Sequence, residues 1–338
     1  MKSKIVDTLQ DILKINSPTG YTGDVISHIE KIFGKSDLHI RKSNKGGLLV
    51  SFSEDPELVL TAHIDTLGAM IKELKGDGTI EITQLGSYPL NSFEGEYVTV
   101  RNSSGKLFRG TFLLNNPSDH VNKKVRSENR EFGSMSVRID EKADSSKELE
   151  KLGLAVGDFI FYDTRFEATP SGFIKSRFLD DKACAAIMIE LIKHFENNKS
   201  AKKTGFFFSN YEEVGHGGCA GIPSSAKELL VLDMAVVGDG CTGREDAVSI
   251  CVKDSSGPYD FFVTGKLKQL AKSKKIDFET DIYPYYGSDG SAAWSAGYDV
   301  RVGLIGPGVS ASHGVERTHL KGLEATFDLA KAYIENFS

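Results

Sequence analysis

Three stretches of this chain put acids or a histidine directly after apolar runs. LVLTAHID ends in His63 and Asp65, KSRFLDDKACAA carries Asp180 and Asp181, and TGFFFSNYEEVGHGG carries Glu212 and Glu213. Adjacent carboxylates repel, and near a core they cost desolvation energy unless a cation sits beside them. A metal ion meets that need; a strand that simply surfaces into a charged loop is the alternative. His63 and Asp65 are two apart, so on an extended backbone they point to one side. Asp65 can then fix the tautomer of His63 and leave the other ring nitrogen for a metal. Asp180 and Asp181 suit either a helix N-cap or a carboxylate bridging two ions. Two consecutive glutamates, on opposite sides of the backbone, can divide the tasks of ligand and general base. Zinc accepts this mix of imidazole and carboxylate, and a bound ion makes water a usable nucleophile near neutral pH.

The surrounding pattern predicts the elements that would hold these groups. Ile5, Val6, Leu9, Ile12 and Leu13 form one helical face, and Val25, Ile26, Ile29, Ile32 and Phe33 form another, ending at Gly34. Strands are predicted at Leu38–Lys42, at Leu48–Phe52 and through ELVLTAH. Between residues 68 and 168 the texture changes to short strand-like runs separated by turns. The one clear helix there is Ser145–Leu152, where Ser145 and Glu148 have capping-box spacing. From Ser176 onward helices and strands alternate again, with LLVLDMAVVGDG read as one strand and GSDGSAAW as a helix start. The pattern predicts an α/β chain: a three-layer α/β/α catalytic domain over residues 1–67 and 169–338, interrupted by a small β-barrel-like domain over 68–168. Ligands of such sheets collect at the carboxyl ends of the strands, where the acids and the histidine lie.

Composition narrows the class. The 338 residues are 40% hydrophobic and 26% charged, with a net charge of −6, which suits a globular protein with a large core. No basic block points to nucleic acid. No apolar run approaches the ~20 residues of a membrane span, and the N-terminus lacks a signal peptide's apolar centre. Cys184, Cys219, Cys241 and Cys251 have no CxxC spacing, so free thiols and a cytoplasmic location are expected.

AHIDTLG, KSRFLDDKACAA, YEEVGHGG, VLDMAVVGDG, YGSDGSAAW and ASHGVERTH follow one another between residues 61 and 319. In this order they resemble the di-metal tetrahedral dodecameric aminopeptidases, some of which carry a cellulase or endoglucanase label. The resemblance implies two divalent ions per subunit, zinc or cobalt with manganese also tolerated. It implies His63 on one ion and His313 on the other, Asp180 bridging, Glu213 and Asp233 completing one site each, and Glu212 as general base; Asp65, from its spacing to His63, is the second catalytic candidate. The Asp180–Asp181 peptide bond would be cis. Asp233 lies within an apolar run and Asp239 beyond it between glycines, so the residues alone favour Asp239; the resemblance selects Asp233 and leaves Asp239 behind it. His319 is expected to open the last helix rather than bind metal. Asp289 is a candidate for the substrate amine, with a helix N-cap at Asp289 or Ser288 as the alternative. His216 replaces the larger apolar or basic residue usual after EEVG, and so bears on substrate choice.

The implied reaction is hydrolysis of N-terminal peptide bonds by a water bridging two ions. The implied partners are peptide substrates and further copies of the chain, paired through the inserted domain and built into a dodecamer. An amidase or deacylase would use the same site. A glycosidase would leave His63, Asp180 and His313 without a role, and a metal-stabilised peptide-binding protein would not need Glu212.

Overall fold

A computed structural model describes residues 4–196 and 198–337. The chain divides into two compact units, Met1–Thr66 with Arg165–Ser338, and Leu67–Thr164.

The larger unit is built on a mixed sheet. Its centre is four neighbouring parallel strands, in the order Thr204–Ser209, Leu58–His63, Glu228–Leu232 and Arg301–Ser310. The first three are buried along their length but for Glu228 at one end, as expected of strands covered on both faces. Side chains alternate between those faces. Val231 and Val302 meet Gly290 in the helix Asp289–Ser295, whereas Gly303, with Leu230 beside it, faces Val263 and Leu267 in the helix Phe261–Lys274. Helices therefore cover both sides, giving the three-layer α/β/α arrangement. The helix Leu179–Phe195 packs on the strand Leu58–His63 and against the helices Lys4–Leu13 and Leu320–Glu335. No described helix is long and apolar enough to cross a membrane.

The smaller unit is a closed six-stranded barrel. Its strands are Gly68–Leu74, Ile80–Leu85, Met135–Ile139, Leu107–Leu114, Tyr97–Arg101 and Phe159–Tyr162. Leu107–Leu114 shows the alternation that barrel closure needs, with Phe108, Phe112 and Leu114 buried.

Several local expectations change. LLVLDMAVV is two strands, Glu228–Leu232 and Ala235–Val237. The second pairs with Gly308–Ser310, further along the same neighbour, so the chain breaks at Asp233 and Met234. Ser145 does not cap its helix through its side chain. Its hydroxyl donates to Glu148 Oε2 instead, and the Asp144 N–H donates to the same oxygen. Glu167–Ala168, expected in the inserted domain, pairs with Phe173–Ser176 and so extends the large sheet.

Candidate metal centre

All four central strands end at the same edge, and each delivers part of one cluster. His63 is the last residue of its strand, Asp233 follows Leu232, Glu212 and Glu213 stand in the turn after Ser209, and His313 follows Ser310. Asp180 comes from the kinked start of the helix Leu179–Phe195, where the Asp180–Asp181 peptide bond is cis.

Asp180 lies between two imidazoles. Its Oδ1 is 2.9 Å from His63 Nε2 and its Oδ2 is 3.4 Å from His313 Nε2. Two overlapping groups result: His63, Asp180 and Asp233 in one, Asp180, Glu213 and His313 in the other, with ligand-type atoms within 4.8 Å of one another in each. Glu212 and Glu213 face different rings. Glu212 Oε2 is 3.7 Å from His63 Nε2, and Glu213 Oε2 is 3.6 Å from His313 Nε2.

Asp65 works differently from the sequence expectation. The strand ends at His63, so the two-apart rule no longer applies beyond it. The Asp65 backbone carbonyl, not its carboxylate, accepts from His63 Nδ1 at 2.9 Å, and the carboxylate stays 3.7 Å away. A carbonyl can only accept, so Nδ1 carries the proton and Nε2 faces the cluster. The carboxylate accepts instead from the Thr19 hydroxyl at 2.6 Å and from the N–H groups of Glu212 at 3.2 Å and Glu213 at 3.4 Å. It therefore anchors the turn that carries both glutamates.

The electrostatics call for added positive charge. Burial raises the proton affinity of Glu212, Glu213 and Asp233, neighbouring carboxylates raise it further, and Asp233 reaches about 8. Burial would also raise Asp180, but the two imidazoles outweigh it and hold Asp180 below its usual range. Burial opposes protonation of His63, and the charges of Glu212, Asp180 and Asp181 overcome it. Glu213 Oε1 is buried without a hydrogen-bond partner. An orphaned carboxylate oxygen beside another carboxylate and an imidazole fits a divalent cation, and this oxygen and nitrogen donor set suits zinc, cobalt or manganese.

The remaining candidates fall outside the two groups. Asp239 stands on an exposed turn and His319 caps the helix Leu320–Glu335 through its side chain. His216 is exposed, with its ring stacked on Tyr211 at 5.2 Å. Ser288, not Asp289, caps the helix Asp289–Ser295. Asp289 is buried against the backbone of Gly217 and Gly218 and lies 2.9 Å from the Thr61 hydroxyl.

One residue passed unnoticed in the sequence. Glu316 is buried, and its two carboxylate oxygens accept from the N–H groups of Asp180 and His313, both at 3.1 Å. Burial and the Asp180 charge push it up to about 8. Its surroundings, SHGVERTH, read as a polar loop, and nothing in the local pattern marks this acid as internal.

A model of the M42 glutamyl aminopeptidases matches residues 46–329. YhfE of Bacillus subtilis (strain 168), an aminopeptidase by name, is 44% identical and covers 98% of both chains. The TET1 peptidase of Pyrococcus horikoshii, which can assemble into a tetrahedron or a large octahedral shell, superimposes with a TM-score of 0.88 at 21% identity. That match covers 98% of this chain and 100% of the other. A Thermotoga maritima protein called an endoglucanase shares the fold at a TM-score of 0.72 and 18% identity, covering 96% of each chain. With the matched span enclosing every residue of both groups, the chain belongs to the M42 glutamyl aminopeptidase family, hydrolases that act on peptide bonds.

Proposed function

We propose that the protein removes N-terminal residues from peptides, with one divalent ion held by His63, Asp180 and Asp233 and a second by Asp180, Glu213 and His313. The observation that carries this reading is Asp180, whose two carboxylate oxygens face different imidazoles. When bound, such ions supply Lewis acidity that acidifies water and polarises a scissile carbonyl. Glu212 is the general base. Its carboxylate keeps 16% side-chain exposure against 2% for Glu213, so water reaches Glu212 while Glu213 is committed inward. Glu212 Oε2 takes the proton from the attacking water and returns it to the leaving amine. Asp65 holds the backbone of that turn, and the Asp65 carbonyl keeps His63 Nε2 directed at Asp180.

The chain forms a homo-oligomer through the Leu67–Thr164 unit, in dimers that assemble into a dodecamer. Tyr97, Leu107, Val121, Phe132 and Val156 are exposed apolar side chains on that unit and support this. Its test is the mass in solution by light scattering, where a monomer would overturn it. The activity is tested on a panel of aminoacyl-anilides with chelator and metal add-back. Hydrolysis of some members, lost on chelation and restored by zinc, cobalt or manganese, is expected. Activity indifferent to chelator, or none on any member, would overturn the reading.

A further inference from the structure

His313 and Asp180 reach the same ion site from different parts of the fold. Asp180 opens a helix, and His313 sits in a loop beyond the longest strand of the sheet. His313 also has φ of 61°, in the left-handed region, as does Ala311 at 58°. A non-glycine residue persists there only where its surroundings over-determine the backbone. Glu316 supplies such a constraint. It lies at the start of the strand Glu316–His319, which is paired on both sides, with Phe173–Ser176 and with Ser310. From there one oxygen accepts the His313 N–H and the other the Asp180 N–H.

We propose that Glu316 is a positioning residue that sets the separation of Asp180 and His313, so that the site they share with Glu213 is formed before any ion arrives. The inference rests on the ligand assignment above. Each carboxylate oxygen has one backbone donor, so the glutamate acts as a two-headed acceptor. Shape alone cannot replace it. A glutamine keeps the size and offers only one accepting oxygen, and its amide nitrogen then meets an N–H with another donor. One of the two anchors is lost while the packing stays.

The test is calorimetric titration of metal-free, full-length protein with Zn²⁺ alone. Wild type is expected to take up two equivalents, and His313→Ala identifies which step depends on His313. In Glu316→Gln that step is expected to weaken about 10–100-fold, the range for losing a group that orients a ligand, while the other step, which shares only Asp180, weakens no more. Two wild-type affinities, or weakening confined to the step that does not use His313, would overturn the inference and leave the ligand assignment standing. Fewer than two equivalents in wild type would overturn the assignment and the inference with it. A second measurement needs no variant. In metal-free wild type, hydrogen exchange at the amides of Asp180 and His313 is expected to stay slow, because Glu316 accepts both. Exchange at the rate of an open loop would overturn the inference.

Discussion

Glu212 and Glu213 are neighbours with different surroundings, and a single change separates their roles. Glu212→Gln keeps the side chain's size and the Asp65 anchor on its N–H, and removes only the ability to take a proton. It is expected to bind metal as wild type does and to lose about 10²–10⁴-fold in turnover, the usual share of a general base. Metal content and single-turnover rates check both halves, and near wild-type activity would sink the assignment. Asp65→Asn separates two accounts of Asp65. If the carboxylate oriented His63, metal affinity would fall at least about tenfold. With the backbone carbonyl in that role, affinity is expected to change by less while turnover drops, because an amide nitrogen then faces either the Glu212 N–H or the Glu213 N–H and the Thr19 hydroxyl together. At this scale the acids at strand ends were legible, since charge after an apolar run is conspicuous. The carbonyl contact was not, because it depends on the backbone leaving its extended form directly after His63. Nor was Glu316, whose burial comes from strand pairing far away in sequence.

The elements that carry the cluster were legible where apolar runs are long. The strands ending at His63 and Ser209 and the helix after Asp181 follow from pattern alone, whereas LVLDMAVV hides its break. Its residues are apolar on both sides of Asp233, and only the second pairing, with Gly308–Ser310, shows why the chain turns there. The turn after Ser209 is a further case. Gly217 and Gly218 lie against the helix Asp289–Ser295 so closely that a Cβ on Gly217 would come 2.2 Å from Asp289 Oδ1 and 3.0 Å from Glu212 Cα. Gly217 has no left-handed φ, so the demand is for space. Gly217→Ala is expected to push the Glu212 turn off the helix. Overpacking of this kind costs about 1–3 kcal/mol, and turnover is expected to fall further because Glu212, the proposed base, moves. Thermal unfolding with peptidase assays checks this against Gly76→Ala, whose Cβ meets nothing within 4 Å. Equal behaviour of the two variants would show that the turn has room.

For the molecule as a whole, four strand ends and one helix start concentrate carboxylates in a place that burial makes hostile to them, and the fold bears that cost until cations arrive. The consequence is that stability falls as pH rises in the metal-free protein, while the metal's own contribution to stability grows. In the metal-free protein, Asp233 is pushed up to about 8 from an ordinary value of 3.8, and Glu212 and Glu213 are raised as well. Between those limits the unfolded chain has released protons that the folded chain still holds. Stability therefore falls as pH rises through this window. The contribution of Asp233 is fully present below its unfolded value and is spent once pH passes about 8. Bound cations favour the ionised carboxylates, and protons compete with them for the same oxygens. In the loaded protein the metal's contribution to stability is therefore expected to grow with pH over this range. The measurement is the unfolding midpoint of chelated and reloaded protein at steps from about pH 5 to pH 8, with the gap between the two curves widening upward. A gap that stays constant would mean that these carboxylates do not meet the ions. A gap that narrows toward pH 8 would mean that the cluster is paired by something other than a divalent cation.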